Sequence, residues 1–192
     1  EGAPVYSVTF DGKTVVNDSH MGFELLDSPS LKSDFEITGQ RHDSCDETWR
    51  PVWGEESVIR SNYNELLLNL RQRSTGRLVD LRFRVFDDGV GFRYEFPCPQ
   101  PQLQSFVITD ELTEFAIPCD AVAYWIPGDY DSQEFNYTRC RLSEISSKMD
   151  EAHVGGPVYP SPFSDTGVQT ALMMKYDSGL YVNIHEAALY DY

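Results

Sequence analysis

The stretch "LVDLRFRVFDDGVGFRYEF", residues 78–96, constrains the fold more than any other part of the chain. Val79, Leu81, Phe83 and Val85 alternate with Arg82 and Arg84, the two-residue period of a strand with one apolar face. After Asp88-Gly89 the alternation resumes, with Phe92, Tyr94 and Phe96 against Arg93 and Glu95. Two such runs joined by a turn form a hairpin. Its charged face can pair across strands while the aromatic rings pack beneath. A hairpin with one apolar face needs a second apolar layer to cover it, and that requirement sets the class of fold.

The rest of the chain supplies that layer as short strands. "PVYSVTFDGKTVV" alternates through Val5, Ser7 and Thr9 against Tyr6, Val8 and Phe10, turns at Asp11-Gly12 and resumes at Thr14. "YNELLLNLRQRSTGRL" is leucine-rich, yet Leu66, Leu68 and Leu70 keep a two-residue period and run into a Ser-Thr-Gly turn, so a strand is expected. "SFVITDELTEFAIP" and "TALMMKYDSGLYVNI" read as further strands broken by turns. Pro97, Pro99 and Pro101 mark a rigid connector, and "VGGPVYPSPFSDTG", residues 154–167, reads as a loop. There is no internal repeat and no long helix. The expected class is all-β, an antiparallel β-sandwich of two packed sheets.

With 192 residues the chain can form one domain with a proper core, taken here as residues 1–192. No run of about 18 apolar residues is present, so no membrane span is expected. The sequence opens at Glu1 without a basic n-region or an apolar h-region; removal of a leader beforehand is compatible with this. A formal charge of −16 repels phosphate and excludes a generic nucleic-acid binder, while leaving cations and neutral sugars as partners. Cys45, Cys98, Cys119 and Cys140 are too dispersed for a zinc cluster and are expected as free thiols. Asn17 and Asn136 open N-x-S/T sequons, a short pattern that arises readily by chance.

Hydrolytic chemistry finds little purchase. No G-x-S-x-G motif occurs, and His20, His42, His153 and His185 stand in unrelated contexts. "RHDSC" brings His42 near Cys45, but a polar loop is the expected setting. Glycoside cleavage needs two carboxyls roughly 5–9.5 Å apart. Glu111 with Glu114, or Asp129, Asp131 and Glu134, are the acidic clusters available, but Glu111 and Glu114 would fall on opposite strand faces. Trp49, Trp53 and Trp125 lie beside turns, where a ring can stack on a sugar; core packing is the expectation for each.

The final segment, "YVNIHEAALYDY", raises a sharper question. Leu180, Val182 and Ile184 share one face of a strand read as buried, with Tyr181, Asn183 and His185 on the other. Glu186 follows, ahead of Ala187, Ala188 and Leu189, a run expected to bury. Glu186 reads equally as a helix N-terminal carboxylate, as a rim salt bridge, or as a ligand of a hard cation such as Ca²⁺, which takes 6–8 oxygens, so that a lone Glu would have to share the shell with ligands from elsewhere.

Four segments, "WRPVWGEESVIRSNYNEL", "LRFRVFDDGVGFRYEFP", "ELTEFAIPCDAVAYWIP" and "GLYVNIHEAALYDY", occur in the order seen in the N-terminal domain of glycoside hydrolase family 97, and the opening "YSVTFDGKTVVNDSHMGFEL" is similar as well. The resemblance covers nearly the whole chain, and the Arg-rich hairpin is its most specific part. It implies a bacterial, periplasmic or otherwise exported enzyme that cleaves α-glucosidic or α-galactosidic linkages, some members inverting and others retaining. It further implies a β-supersandwich, like that of galactose mutarotase, packed on a catalytic (β/α)₈ barrel of the same polypeptide. A calcium ion sits by the active site in that family, and the "IHEAAL" segment points to Glu186 as one of its ligands.

No part of the 192 residues corresponds to a barrel, so the family's catalytic carboxylates are not expected in this chain. The sandwich itself is expected to be incomplete at its C-terminal end, and the chain to hydrolyse nothing alone. Two other readings stay open. One is a free-standing carbohydrate-binding or interaction module, and the other is a small sugar-ring isomerase, which would need a His and Glu pair in one cleft.

Overall fold

The computed structural model describes residues 1–98, 105–129, 132–154, 156 and 163–188. Its contacts divide the chain into two compact units, one of residues 1–6 and 18–114, the other of residues 7–17 and 115–192. Strands β1 (Val5–Phe10) and β2 (Lys13–His20) form a hairpin whose tip, residues 7–17, belongs to the second unit. Asp11 and Gly12 both have positive φ, 49° and 72°, which is the backbone a two-residue type I′ turn demands.

The first unit contains β3 (Phe23–Leu25), β4 (Ser28–Leu31), β5 (Phe35–Trp49), β6 (Ile59–Gln72), β7 (Leu78–Val85), β8 (Val90–Glu95) and β9 (Ile108–Glu111). They form two sheets, ordered β4-β3-β9 and β5-β6-β7-β8. Every pairing described is antiparallel, and Asp80 to Val85 meet Glu95 to Val90 across the Arg-rich hairpin. Met21, Phe23, Leu25 and Leu31 join Phe35, Leu70, Val79 and Leu81 in one buried cluster, so the two sheets face each other as a sandwich. Each such side chain contributes about 1.5–3 kcal/mol over leaving it in water. Tyr94, Phe92, Phe96 and Phe83 pack against this cluster, with Tyr94 edge-on to Phe23 at 4.4 Å. The expected alternation of this hairpin is therefore observed residue by residue, and "YNELLLNL" lies in β6 as a strand.

The second unit contains β10 (Val122–Trp125), β11 (Pro127–Asp129), β12 (Thr138–Arg141), a 3-10 turn (Leu142–Glu144), α1 (Ile145–Ala152), β13 (Phe163–Val168), β14 (Leu172–Lys175) and β15 (Tyr181–Ile184). The main sheet runs β12-β10-β14-β15, and β11 pairs with β13. Ala121, Ala123, Trp125, Cys140 and Met174 are buried on one face of this sheet, where Met149 and Ala152 of α1 join Trp125 and Cys140. The opposite face carries Tyr124 under Arg139 and Tyr181 under Lys175.

One sequence expectation requires correction here. "VGGPVYPSPFSDTG" is not a loop throughout, because residues 163–168 form β13; residues 155 and 157–162 lie outside the described part, as do Pro99 and Pro101. α1 is a short helix of eight residues, with Ile145, Met149 and Ala152 on its apolar side, too short a pattern to stand out in the sequence.

Candidate functional site

β15 sits at one edge of the main sheet of the second unit, bonded to β14 with Leu172, Met173, Met174 and Lys175 opposite Ile184, Asn183, Val182 and Tyr181. Leu180, Val182 and Ile184 reach into the core around Met174 and Tyr176, as their alternation requires. Tyr181 and Asn183 point away and are exposed. The hairpin turn is closed by Gly179 donating to the Tyr176 carbonyl, with Gly179 at φ 87°. The Tyr176 hydroxyl in turn donates to the Val15 carbonyl at 2.7 Å. Glu186 thus follows a strand anchored on its inner face.

Glu186 itself is exposed, and its carboxylate makes no hydrogen bond or ion pair among the described residues. Ala187 and Ala188 are exposed too, which corrects the expectation that this run buries: β15 is a half-buried edge strand, and no described element covers the segment after it. Leu189 to Tyr192 lie outside the described residues. No group of three or more His, Cys, Asp or Glu side chains able to hold a metal occurs among the described residues.

The acidic pairs resolve into separate structural roles. Glu111 accepts from the Thr113 hydroxyl at 2.5 Å, and that hydroxyl meets the Tyr94 phenol at 2.7 Å. Burial pushes the Tyr94 phenol up to about 12. Glu114 accepts from both the backbone N–H of His20 and its ring Nδ1, each at 2.8 Å, and these bonds hold its carboxyl below the usual range. That is a His–Glu contact, but both side chains are more than half exposed. Asp129 is buried and accepts from Ser132 at 2.8 Å, Glu134 is exposed, and Asp131 lies outside the described residues.

The remaining candidates separate cleanly. "RHDSC" is part of β5 rather than a loop, with His42 opposite Leu66 and Cys45 opposite Tyr63, so a three-residue offset puts the imidazole and thiol on opposite faces. All four cysteines are free. Trp125 is a core residue whose indole N–H points at the Cys140 sulfur, 3.1 Å away. Trp49 and Trp53 depart from the core expectation, at 48% and 88% exposure.

Sequence reasoning placed charge on the outer face of the Arg-rich hairpin but missed its centre, Glu65 on β6. Glu65 is 7% exposed and accepts from Arg82 and from Arg84, the latter at 2.9 Å. Glu95 accepts from Arg82 Nε at 2.6 Å and Arg93 Nε at 2.7 Å. The Arg82 guanidinium, more than Arg93, draws the Glu95 carboxyl down to about 2 against the opposing effect of burial. Glu65 is lowered as well, by Arg84 first, while Arg82 is raised chiefly by Glu95. The signal for Glu65 was present: it alternates with Leu66, so it had to share a face with Arg82 and Arg84.

Comparison with known proteins identifies the scaffold. A retaining alpha-galactosidase of Bacteroides thetaiotaomicron is 24% identical over 155 residues, 74% of this chain and 22% of that protein. A glycoside hydrolase family 97 enzyme from Pseudoalteromonas sp. strain K8, solved in complex with acarbose, is 33% identical with a TM-score of 0.81 over 100% of this chain and 26% of its own. A beta-arabinopyranosidase, 21% identical with a TM-score of 0.73, shares the fold across 98% of this chain and 29% of its own. The chain therefore spans about a quarter of the length of these relatives. From residue 1 to residue 192 it matches the family described as Glycosyl-hydrolase 97 N-terminal, and to that family it belongs.

Proposed function

We propose that this chain is the N-terminal supporting domain of an exported bacterial α-glycoside hydrolase acting on α-glucosidic or α-galactosidic bonds. The bond-cleaving carboxylates belong, in this reading, to a (β/α)₈ barrel elsewhere on the same polypeptide, and the isolated chain cleaves no sugar. The observation that carries the proposal is the full-length family match to a segment making up only about a quarter of its relatives.

Glu186 is assigned as one ligand of a calcium ion shared with that barrel. Its exposure and its uncommitted carboxylate fit a donated hard-oxygen ligand, and the lack of any acidic cluster among the described residues fits a shared site rather than a self-contained one. When bound, calcium would polarise and orient substrate oxygens. The contribution of this chain is positional. Leu180, Val182 and Ile184 lock β15 to the core, and the β14–β15 ladder fixes where the carboxylate emerges.

Glu186→Gln in the full-length protein removes the ligand charge and keeps the shape. Calcium affinity should fall by roughly tenfold or more, with kcat/KM falling alongside. Wild-type calcium content and activity in the variant would refute the assignment. A second reading, a carbohydrate-binding module, draws support from the exposed Trp49 and Trp53. It requires millimolar or better binding of maltose or galactosides by this chain without the barrel, read by calorimetric titration.

A further inference from the structure

β7 pairs with β6 only from Asn64 to Arg71, whereas β5 and β6 stay paired out to Trp49 and Ile59. Beyond Asn64 the two strands therefore form a two-stranded ribbon, closed by residues 50–58. Arg60 reaches Asp46 across the ribbon with two bonds of 2.7 and 2.6 Å. At its end, Val52 is 99% exposed, Trp53 88%, Trp49 48% and Val58 40%. Gly54, at φ 144°, provides the bend that presents Val52 and Trp53 outward. Soluble proteins seldom offer water several large apolar side chains at the tip of one ribbon unless something covers them.

Resting on the supporting-domain reading above, we infer that this ribbon tip is a docking knob that seats in an apolar socket on the remainder of its own polypeptide. The composition of the knob argues against a sugar as the occupant. Trp49 and Trp53 alone could offer a sugar their ring faces, but the exposed Val52 and Val58 beside them would stay uncovered, while a protein socket is filled by aliphatic and indole groups alike. The charge of the chain argues against a second copy, since two bodies of formal charge −16 repel. The relatives in turn supply the partner: about three quarters of their length lies outside the matched segment, which covers 26% of the solved family 97 enzyme. Tethering gives such a contact an effective concentration that a modest knob can exploit. Asp46, Glu47, Glu55 and Glu56 outnumber Arg50 and Arg60 around the tip, so the socket should carry a basic rim.

Hydrogen–deuterium exchange on the full-length protein tests this directly. Amides of residues 50–58 should be protected, and Trp53→Ala should accelerate their exchange roughly tenfold or more, the scale of a buried aromatic anchor. Val52→Ser should act in the same direction. Both side chains are exposed in this unit, so neither substitution touches its core, and the wild-type measurement needs no variant. Free exchange at 50–58 in the wild type overturns the inference. So does protection that grows with protein concentration, which means self-association, or protection that appears only with added maltooligosaccharide, which means a sugar site. Calcium retention in Glu186→Gln is read separately: an open tip with normal calcium linkage overturns the docking alone, and a protected tip without calcium linkage overturns the Glu186 assignment alone.

Discussion

Glu95 offers a quantitative test of the charge network on the Arg-rich hairpin. Its carboxyl is drawn from 4.5 to about 2, first by Arg82 and then by Arg93. At about 1.4 kcal/mol per pKa unit, that shift corresponds to a ceiling of about 3 kcal/mol. Glu95 is 26% exposed, so solvent screening reduces the expected contribution to about 1–2 kcal/mol. The folded-state pKa lies below the unfolded one, so the unfolded chain binds more protons between the two values. The stabilisation is therefore complete above about pH 5 and is lost as pH falls towards 2.

Glu95→Gln isolates this contribution, because Glu65 is also lowered and would otherwise blur the acid limb. Urea unfolding of wild type and variant should differ by about 1–2 kcal/mol at pH 7, and the difference should shrink steadily below pH 5 and approach zero near pH 2. Carboxyl-carbon NMR should place the Glu95 titration well below that of a free glutamate. A difference that stays constant from pH 7 to pH 3, or that is absent at pH 7, would show that Arg82 does not hold Glu95 as described.

Two substitutions probe the packing. Trp125→Ala empties the fully buried site beside Cys140 and Met149 and should cost about 3–5 kcal/mol by denaturant unfolding, with Trp125→Phe costing clearly less. Gly22→Ala combines φ 146° with a Cβ that would lie 2.5 Å from the Leu31 carbonyl oxygen, so its melting temperature should fall by the equivalent of about 1–3 kcal/mol.

Periodicity revealed those parts of the fold in which one strand face is buried. Val79, Leu81 and Phe83, like Val182 and Ile184, advertise their burial through neighbours two residues away, and the structure places them accordingly. The same logic failed where no local pattern exists. β13 is composed of Phe-Ser-Asp-Thr-Gly-Val, with a glycine and no alternation, and takes its strand character from β11. "RHDSC" reads as a polar loop because it offers no apolar face; the fourteen-pair register of β5 with β6 holds it extended instead. The His20–Glu114 contact joins residues 94 positions apart, a distance over which a single sequence carries no signal. General preference places Trp49 and Trp53 in the core, and the ribbon that exposes them depends on β7 ending short of it.

Several acids of this chain are already committed to internal contacts, and Glu186 is not among them. Glu65 and Glu95 are held by arginines, Glu114 by His20, Asp120 by Ser143, and Asp46 by Arg60. Moving any of them to a ligand would break a contact that already stabilises the fold. Glu186 carries no such commitment among the described residues, yet it stands two residues beyond a strand whose alternate side chains are fixed in the core. Solvent exposure alone would not single it out, since other acids are exposed too. Glu47 on β5 and Asp110 on β9 are likewise exposed and uncommitted among the described residues, so the proposed role of Glu186 rests on its place just past β15, where binding an ion would break no internal bond. If Val182→Ala or Ile184→Ala loosens β15, calcium affinity of the full-length protein should fall even though Glu186 is intact, and unchanged affinity in both would detach the carboxylate from its mount.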